Sequence, residues 1–168
     1  MSFLIYSLGF DLKVKDIEVD GEKLRLQIWD TVGQEKYQSL TKNCYNGVDG
    51  VFVVFDLTYQ NSFENVTRWL TQLKKHSGDN VSIILIGNKS DLIYERVVTE
   101  EMIRDLQKEL QIPYIEVSAK DGTNVKGAFL QLAREVKPKA MSKPRPSLII
   151  KEKENSNISF LQGCCKTS

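Results

Sequence analysis

Three short polar runs, each at the end of an apolar or alternating stretch, carry the chemistry of this chain. The first is Trp29-Asp30-Thr31-Val32-Gly33-Gln34-Glu35, directly after Leu24-Arg25-Leu26-Gln27-Ile28. An acidic residue at a strand end, then a glycine, then a glutamine suits a nucleotide's terminal phosphate. Asp30 can reach a magnesium ion, directly or through water. Gly33 lets a backbone N–H approach a phosphate oxygen with no side chain in the way. Gln34 can orient an attacking water. Any strand-to-loop junction can carry Asp and Gly, so the weight of this run comes from the two that follow it.

Ile83-Ile84-Leu85-Ile86-Gly87 is a short apolar run ending in Asn88-Lys89-Ser90-Asp91, and Tyr114-Ile115-Glu116-Val117 ends in Ser118-Ala119-Lys120. The Asp91 carboxylate can accept two hydrogen bonds from one edge of guanine, its ring N–H and its exocyclic amine. Adenine offers no such donor pair, so a carboxylate here selects guanine. Asn88 is placed to reach the opposite edge. The Lys89 and Lys120 stems can cover the ring faces while their ammonium heads stay in water. The Ala119 N–H can donate to the guanine carbonyl.

With these three runs in this order, the chain resembles a small GTPase of the Ras superfamily, and within it a Rab. The likeness extends from about Ser7 to the C-terminus. Its Rab character rests on Leu8-Gly9-Phe10-Asp11-Leu12, Arg25-Leu26-Gln27-Ile28-Trp29-Asp30, Phe55-Asp56-Leu57-Thr58 and the terminal Cys164-Cys165. The resemblance implies an α/β fold of the three-layer, P-loop-NTPase-like kind, a mostly parallel sheet with helices on both faces. It implies GTP or GDP as ligand with Mg2+. Gly33, Asn88, Lys89, Asp91, Ser118, Ala119 and Lys120 would contact the nucleotide, Ser7 and Asp30 the metal, and Gln34 the hydrolytic water. It also implies two geranylgeranyl groups on Cys164 and Cys165. The partners it implies are escort, exchange-factor and effector proteins, with no nucleic acid. The protein would sit on the cytosolic face of intracellular membranes and act in vesicle traffic.

One required motif is absent. A GTPase of this kind needs a phosphate-cradling loop, G-x-x-x-x-G-K-[ST], between its first strand and first helix. No segment matches. In Gly87-Asn88-Lys89-Ser90 an Asn separates Gly from Lys, and no Gly stands at the upstream position. The family pattern is met only from about Ser7, after Met1-Ser2-Phe3-Leu4-Ile5-Tyr6. The expectation is therefore an N-terminally incomplete Rab, with its first strand and first helix missing. The missing strand would belong between Leu24–Trp29 and Val51–Phe55; residues 1–6 are largely apolar and would substitute for it in part, but are too few to supply a strand, a loop and a helix. Whether the chain is an enzyme stays open: a GTPase by resemblance, or a non-enzymatic Rab-like interaction module or truncated product.

The elements that must hold these runs can be read from the pattern. Asp20-Gly21 between two alternating stretches is a strong hairpin signal. Leu24, Leu26 and Ile28 face one side, Arg25 and Gln27 the other. Val51–Phe55 and Ile83–Ile86 are continuous apolar runs, as expected of strands covered on both faces. Phe63, Val66, Leu70 and Leu73 recur at helical spacing, with Asn61 or Ser62 as cap. Met102, Ile103, Leu106 and Leu110 mark a helix begun near Thr99. Val125, Phe129, Leu132 and Val136 mark the last, stopped by Pro138.

Departures from the Rab pattern are few. Ser7 replaces the switch threonine but keeps its hydroxyl, and Val32 replaces an alanine. Of the positions that usually form an aromatic triad, Leu12, Trp29 and Cys44, only Trp29 is aromatic, so effector choice does not transfer. His76 is read as structural.

The chain divides into a domain over 1–137 and a flexible basic tail over 138–168. From Lys137 onward seven Lys/Arg stand against Glu152 and Glu154, about +5; the whole chain carries +1, which leaves about −4 for the body. A basic tail on an acidic body favours an anionic membrane surface, by up to about 1 kcal/mol per basic residue near the lipid. The tail holds one apolar island, Leu148-Ile149-Ile150, read either as incidental or as a grip for an escort protein. Two lipid chains are what stable anchoring needs. The longest apolar runs are strand length, too short to span a bilayer. Three cysteines, two adjacent, make a poor disulfide framework and fit a reducing compartment.

Overall fold

The computed structural model describes residues 2–6, 11–31, 48–77 and 80–142. Strands β2 (Asp11–Val19) and β3 (Glu22–Thr31) form the expected hairpin. Asp20 and Gly21 both take positive φ, 52° and 78°, the turn whose twist matches that of two antiparallel strands. Asp16 and Arg25 stand opposite each other in the register and form a two-pronged ion pair at 2.8 and 3.1 Å. On the other face Leu26 is buried.

Strand β1 (Ser2–Tyr6) pairs in parallel with β3, Ile5 opposite Asp30, and with β4 (Gly50–Asp56), Leu4 opposite Val51. β5 (Ser82–Asn88) and β6 (Tyr114–Glu116) continue the parallel set. The six-stranded order is β2-β3-β1-β4-β5-β6, with only β2 antiparallel to its neighbour. This corrects one expectation: the strand thought missing between β3 and β4 is supplied by Ser2–Tyr6. Six residues are too few for a strand, a loop and a helix, but five are a full strand. Two facing strand edges with unpaired N–H and C=O groups offer an apolar segment a ladder on each side. Only residues 7–10 separate β1 from β2.

The parallel strands bury alternate residues on opposite faces. Val51, Val53, Phe55 and Leu85 pack under α1 (Gln60–Glu64), α2 (Val66–His76) and α3 (Glu100–Leu110) with Leu70, Leu73 and Ile103. Phe52, Ile84, Ile86 and Leu26 pack under α4 (Val125–Ser142) with Ala128, Leu132 and Val136. Trp29 lies partly buried against the first cluster. Helices thus lie on both faces of a mostly parallel sheet.

Three local readings differ. The helix expected through Phe63 and Leu73 is two, divided at Asn65, whose side-chain amide donates to the Asn61 carbonyl (2.8 Å). Such back-bonding competes with the helix ladder. Neither Asn61 nor Ser62 is its cap: both lie inside α1, and the Ser62 hydroxyl instead accepts from the Asp56 N–H (2.9 Å). Pro138 does not stop α4, which runs on to Ser142. Arg134–Asp20 (3.2 Å) and Lys137–Glu22 (3.1 Å) tie the helix to the hairpin before the proline, and Lys139 Nζ donates to Ser82 Oγ (2.9 Å) after it. These ties hold the helix to the sheet on both sides of the proline. Thr99 caps α3 as read, accepting from the Met102 N–H.

Candidate nucleotide site

Five parallel strands end at one edge of the sheet, the edge where open α/β folds bind ligands. Asp56 and Asn88 are register partners at the ends of β4 and β5, and Gly87 faces Glu116 on β6. Two backbone bonds lash the loops that follow: the Val117 N–H donates to the Gly87 carbonyl (2.8 Å) and the Ser90 N–H to the Val117 carbonyl (3.1 Å). Residues near 90 and near 118, distant in sequence, are thereby held side by side.

Side chains complete the link. The buried Ser118 hydroxyl donates to Asp91 Oδ1 at 2.7 Å. Lys120 Nζ lies 3.7 Å from Asp91 Oδ2. The Asp91 side chain is 14% exposed, against 79% for Lys120. A carboxylate has about four acceptor sites; Ser118 takes one, so capacity for two ligand N–H groups remains. The Ala119 N–H donates to Asn88 Oδ1 at 3.1 Å. Asn88, Lys89, Asp91, Leu92, Ala119 and Lys120 enclose a cavity of about 310 Å³.

Two details depart from the sequence reading. The Ala119 N–H, expected to meet a guanine carbonyl, donates to the Asn88 side chain. The Lys89 side chain is 47% exposed, and its ammonium also pairs with Asp56 Oδ2 at 2.7 Å. Lys89 sits at φ 67°, a left-handed conformation uncommon for a residue with a Cβ. Burial pushes the Asp56 carboxyl up, but the Lys89 ammonium and the Thr58 hydroxyl and N–H outweigh it and hold it below the usual range. The hydrogen bond to Asp56 in turn raises Lys89. Sequence reasoning missed Asp56 as a member of this cluster. The available signal was its place at the end of the apolar run beside the one that ends in Asn88.

Asp30 sits near the end of β3, at the same sheet edge. Ser7, Gly33, Gln34, Cys164 and Cys165 lie outside the described residues, as does Cys44. Among the described residues no cluster of three or more His, Cys, Asp or Glu could hold a metal ion, and no helix is long and apolar enough to cross a membrane.

The sequence that builds this sheet edge is matched by known proteins. The Ras family profile covers residues 3–138. The chain belongs to the Ras family. Its relatives within that family are of Rab type. The Ras-related protein RABD2a of Arabidopsis thaliana is 38% identical over 168 aligned residues, covering 97% of this chain and 82% of that protein. The GTP-binding protein YPTM2 of Zea mays is 42% identical with the same coverage. The Ras-related protein Rab-1A of Dictyostelium discoideum is 39% identical over 165 residues, covering 96% of this chain and 82% of its own.

Proposed function

We propose that this Ras-family chain is a Rab-type module that recognises the guanine end of GTP or GDP and works at membranes in vesicle traffic. The observation that carries the proposal is the pairing of Asp91 with Ser118 and of Asn88 with Ala119 around one cavity. Asp91 would accept the two donors of the guanine edge, and Asn88 would turn its amide to the opposite edge. That turn frees the Ala119 N–H for the guanine carbonyl. Lys120 and the stem of Lys89 would flank the ring. Gly33 would approach the terminal phosphate, and Gln34 would orient the hydrolytic water. Asp30 and Ser7 offer the oxygen donors that Mg2+ takes alongside phosphate oxygens. Bound there, the ion would neutralise phosphate charge. The tail from 138 onward would carry lipid at Cys164 and Cys165 and meet escort proteins. Exchange factors and effectors would read the domain.

A second reading is favoured by one specific observation. No G-x-x-x-x-G-K-[ST] motif is present, and β1 and β2 are joined by only four residues. Most of a nucleotide's charge lies on its phosphates, and backbone N–H groups of such a loop normally meet it. On this reading the chain is a non-enzymatic Rab-like interaction module.

Titration of the purified chain with labelled GDP and ADP, with magnesium present, tests the base site. Preference for GDP at an affinity weaker than micromolar is expected. Equal binding of the two nucleotides would overturn the assignment of Asp91. Submicromolar GDP binding with GTP turnover would favour the enzyme reading over the interaction module.

A further inference from the structure

A groove of about 230 Å³ opens on the sheet face that carries α4. Phe52, Val54 and Ile86 from the sheet and Val125, Ala128 and Phe129 from the helix line it. Phe52 and Phe129 meet edge-to-face at 5.0 Å. Along β4, Phe52 is 3% exposed, yet Val54, the next residue on that face, is 36% exposed. Parallel strands are ordinarily covered on both faces. Among the described residues α4 covers this face near Phe52 and leaves it open toward the strand ends.

We propose that the chain's own tail fills this groove, with Leu148-Ile149-Ile150 as the inserted segment. The argument is one of length and chemistry. The groove takes the N-terminal turns of α4, and the helix ends thirteen residues beyond Phe129, at Ser142. That span is about 20 Å at helical rise. Leu148 follows Ser142 by six residues and Ile150 by eight, an extended reach of about 20–28 Å. A chain that turns back along α4 therefore brings this triplet to the groove. Pro144 and Pro146 lie in the connecting stretch. They oppose continuation of the helix and favour an extended path. The triplet is the first apolar run after α4, and the groove is walled almost wholly by apolar side chains. At the strand ends the groove adjoins the cavity of the candidate nucleotide site, with which it shares Asn88 and Ala119.

The test uses the full chain with Ile149 replaced by photoactivatable p-benzoylphenylalanine, its crosslinks mapped by mass spectrometry. Crosslinks to Val54, Ala128 or Phe129 within one chain are expected, at a yield independent of protein concentration. Crosslinks only between chains would assign the groove to a second copy and overturn the proposal. A map without groove residues would overturn it too. In parallel, the methyl resonances of Val54 and Val125 are compared between the full chain and its Leu148→Ser, Ile149→Ser, Ile150→Ser variant. Shifted groove methyls support docking, and superimposable spectra refute it.

Discussion

Asp91 is held in place by the Ser118 hydroxyl. On the proposed guanine reading, the cost of orienting the carboxylate is met by folding, and the base would have only to present two donors to it. Asp91→Asn keeps the shape but replaces one acceptor oxygen with a donor amide. Hydrogen bonds to charged groups contribute about 1.5–3 kcal/mol, so the GDP-to-ADP affinity ratio should fall by roughly tenfold or more. Parallel titrations of both nucleotides check this, and an unchanged ratio would contradict the role. Glu116 offers a different residue-scale test. Burial pushes its carboxyl up, but the Arg96 guanidinium and the Tyr114 hydroxyl, at 2.7 and 2.8 Å, pull it further down, to a net value below the ordinary 4.5. A carboxyl depressed on folding adds stability above its unfolded pKa, and that stability is lost as pH falls through the folded value. Wild-type stability should therefore drop below about pH 4.5. Glu116→Gln should cost about 1 kcal/mol at neutral pH and show less of that acid loss. Urea midpoints at pH 7 and pH 4 decide it. At this scale, residue types were legible in the sequence: an Asp that can accept, an Asn that can turn. Their partners were not. Ser118 and Asp91 are 27 residues apart and Asp56 and Lys89 33 apart, and only the sheet register brings each pair together.

Among the elements, β5 and β6 are spaced by Gly87. A Cβ built at Gly87 would run into the Tyr114 hydroxyl and lie 3.2 Å from Leu57 Cδ2. Tyr114 cannot simply swing away, because its hydroxyl is engaged by Glu116. Gly87→Ala is expected to destabilise the domain by about 1–3 kcal/mol through overpacking. Adding Tyr114→Phe removes the clashing oxygen and should restore part of the loss. Thermal unfolding of the single and double variants measures this, and a double variant no better than the single would place the strain elsewhere. The elements the sequence made plain are those with local signals. Asp20-Gly21 declared the hairpin, the apolar runs declared β4 and β5, and Thr99 declared α3. Where the deciding contact is distant, local pattern failed. Nothing within Ser2–Tyr6 says that it will lie between β3 and β4. Pro138 reads as a stop because the ion pairs of Arg134 and Lys137 with the hairpin are invisible in sequence.

At the scale of the whole molecule, charge is divided between an acidic body and a basic end, about −4 against +5. With lipid on Cys164 and Cys165, that division favours one orientation at an anionic surface. Replacing both cysteines by serine should move the protein from the membrane to the soluble fraction, and replacing one should weaken its retention. Fractionation of cells expressing each form reads the outcome, and full membrane recovery of the double variant would exclude the lipid anchor. The position of β1 has a further consequence, for kinetics. The first strand of the chain must enter between two neighbours made after it: Phe3 pairs with Ile28, 25 residues on, and Leu4 with Val51, 47 residues on. Neither ladder closes until those segments exist and have met, so the loop-closure entropy must be overcome before either can form. The hairpin, whose partners are adjacent, is expected to form early and β1 to lock the sheet late. Mutations in β1 should then speed unfolding while leaving the refolding rate nearly unchanged, so that residues 2–6 set how long the folded molecule lasts more than how quickly it forms.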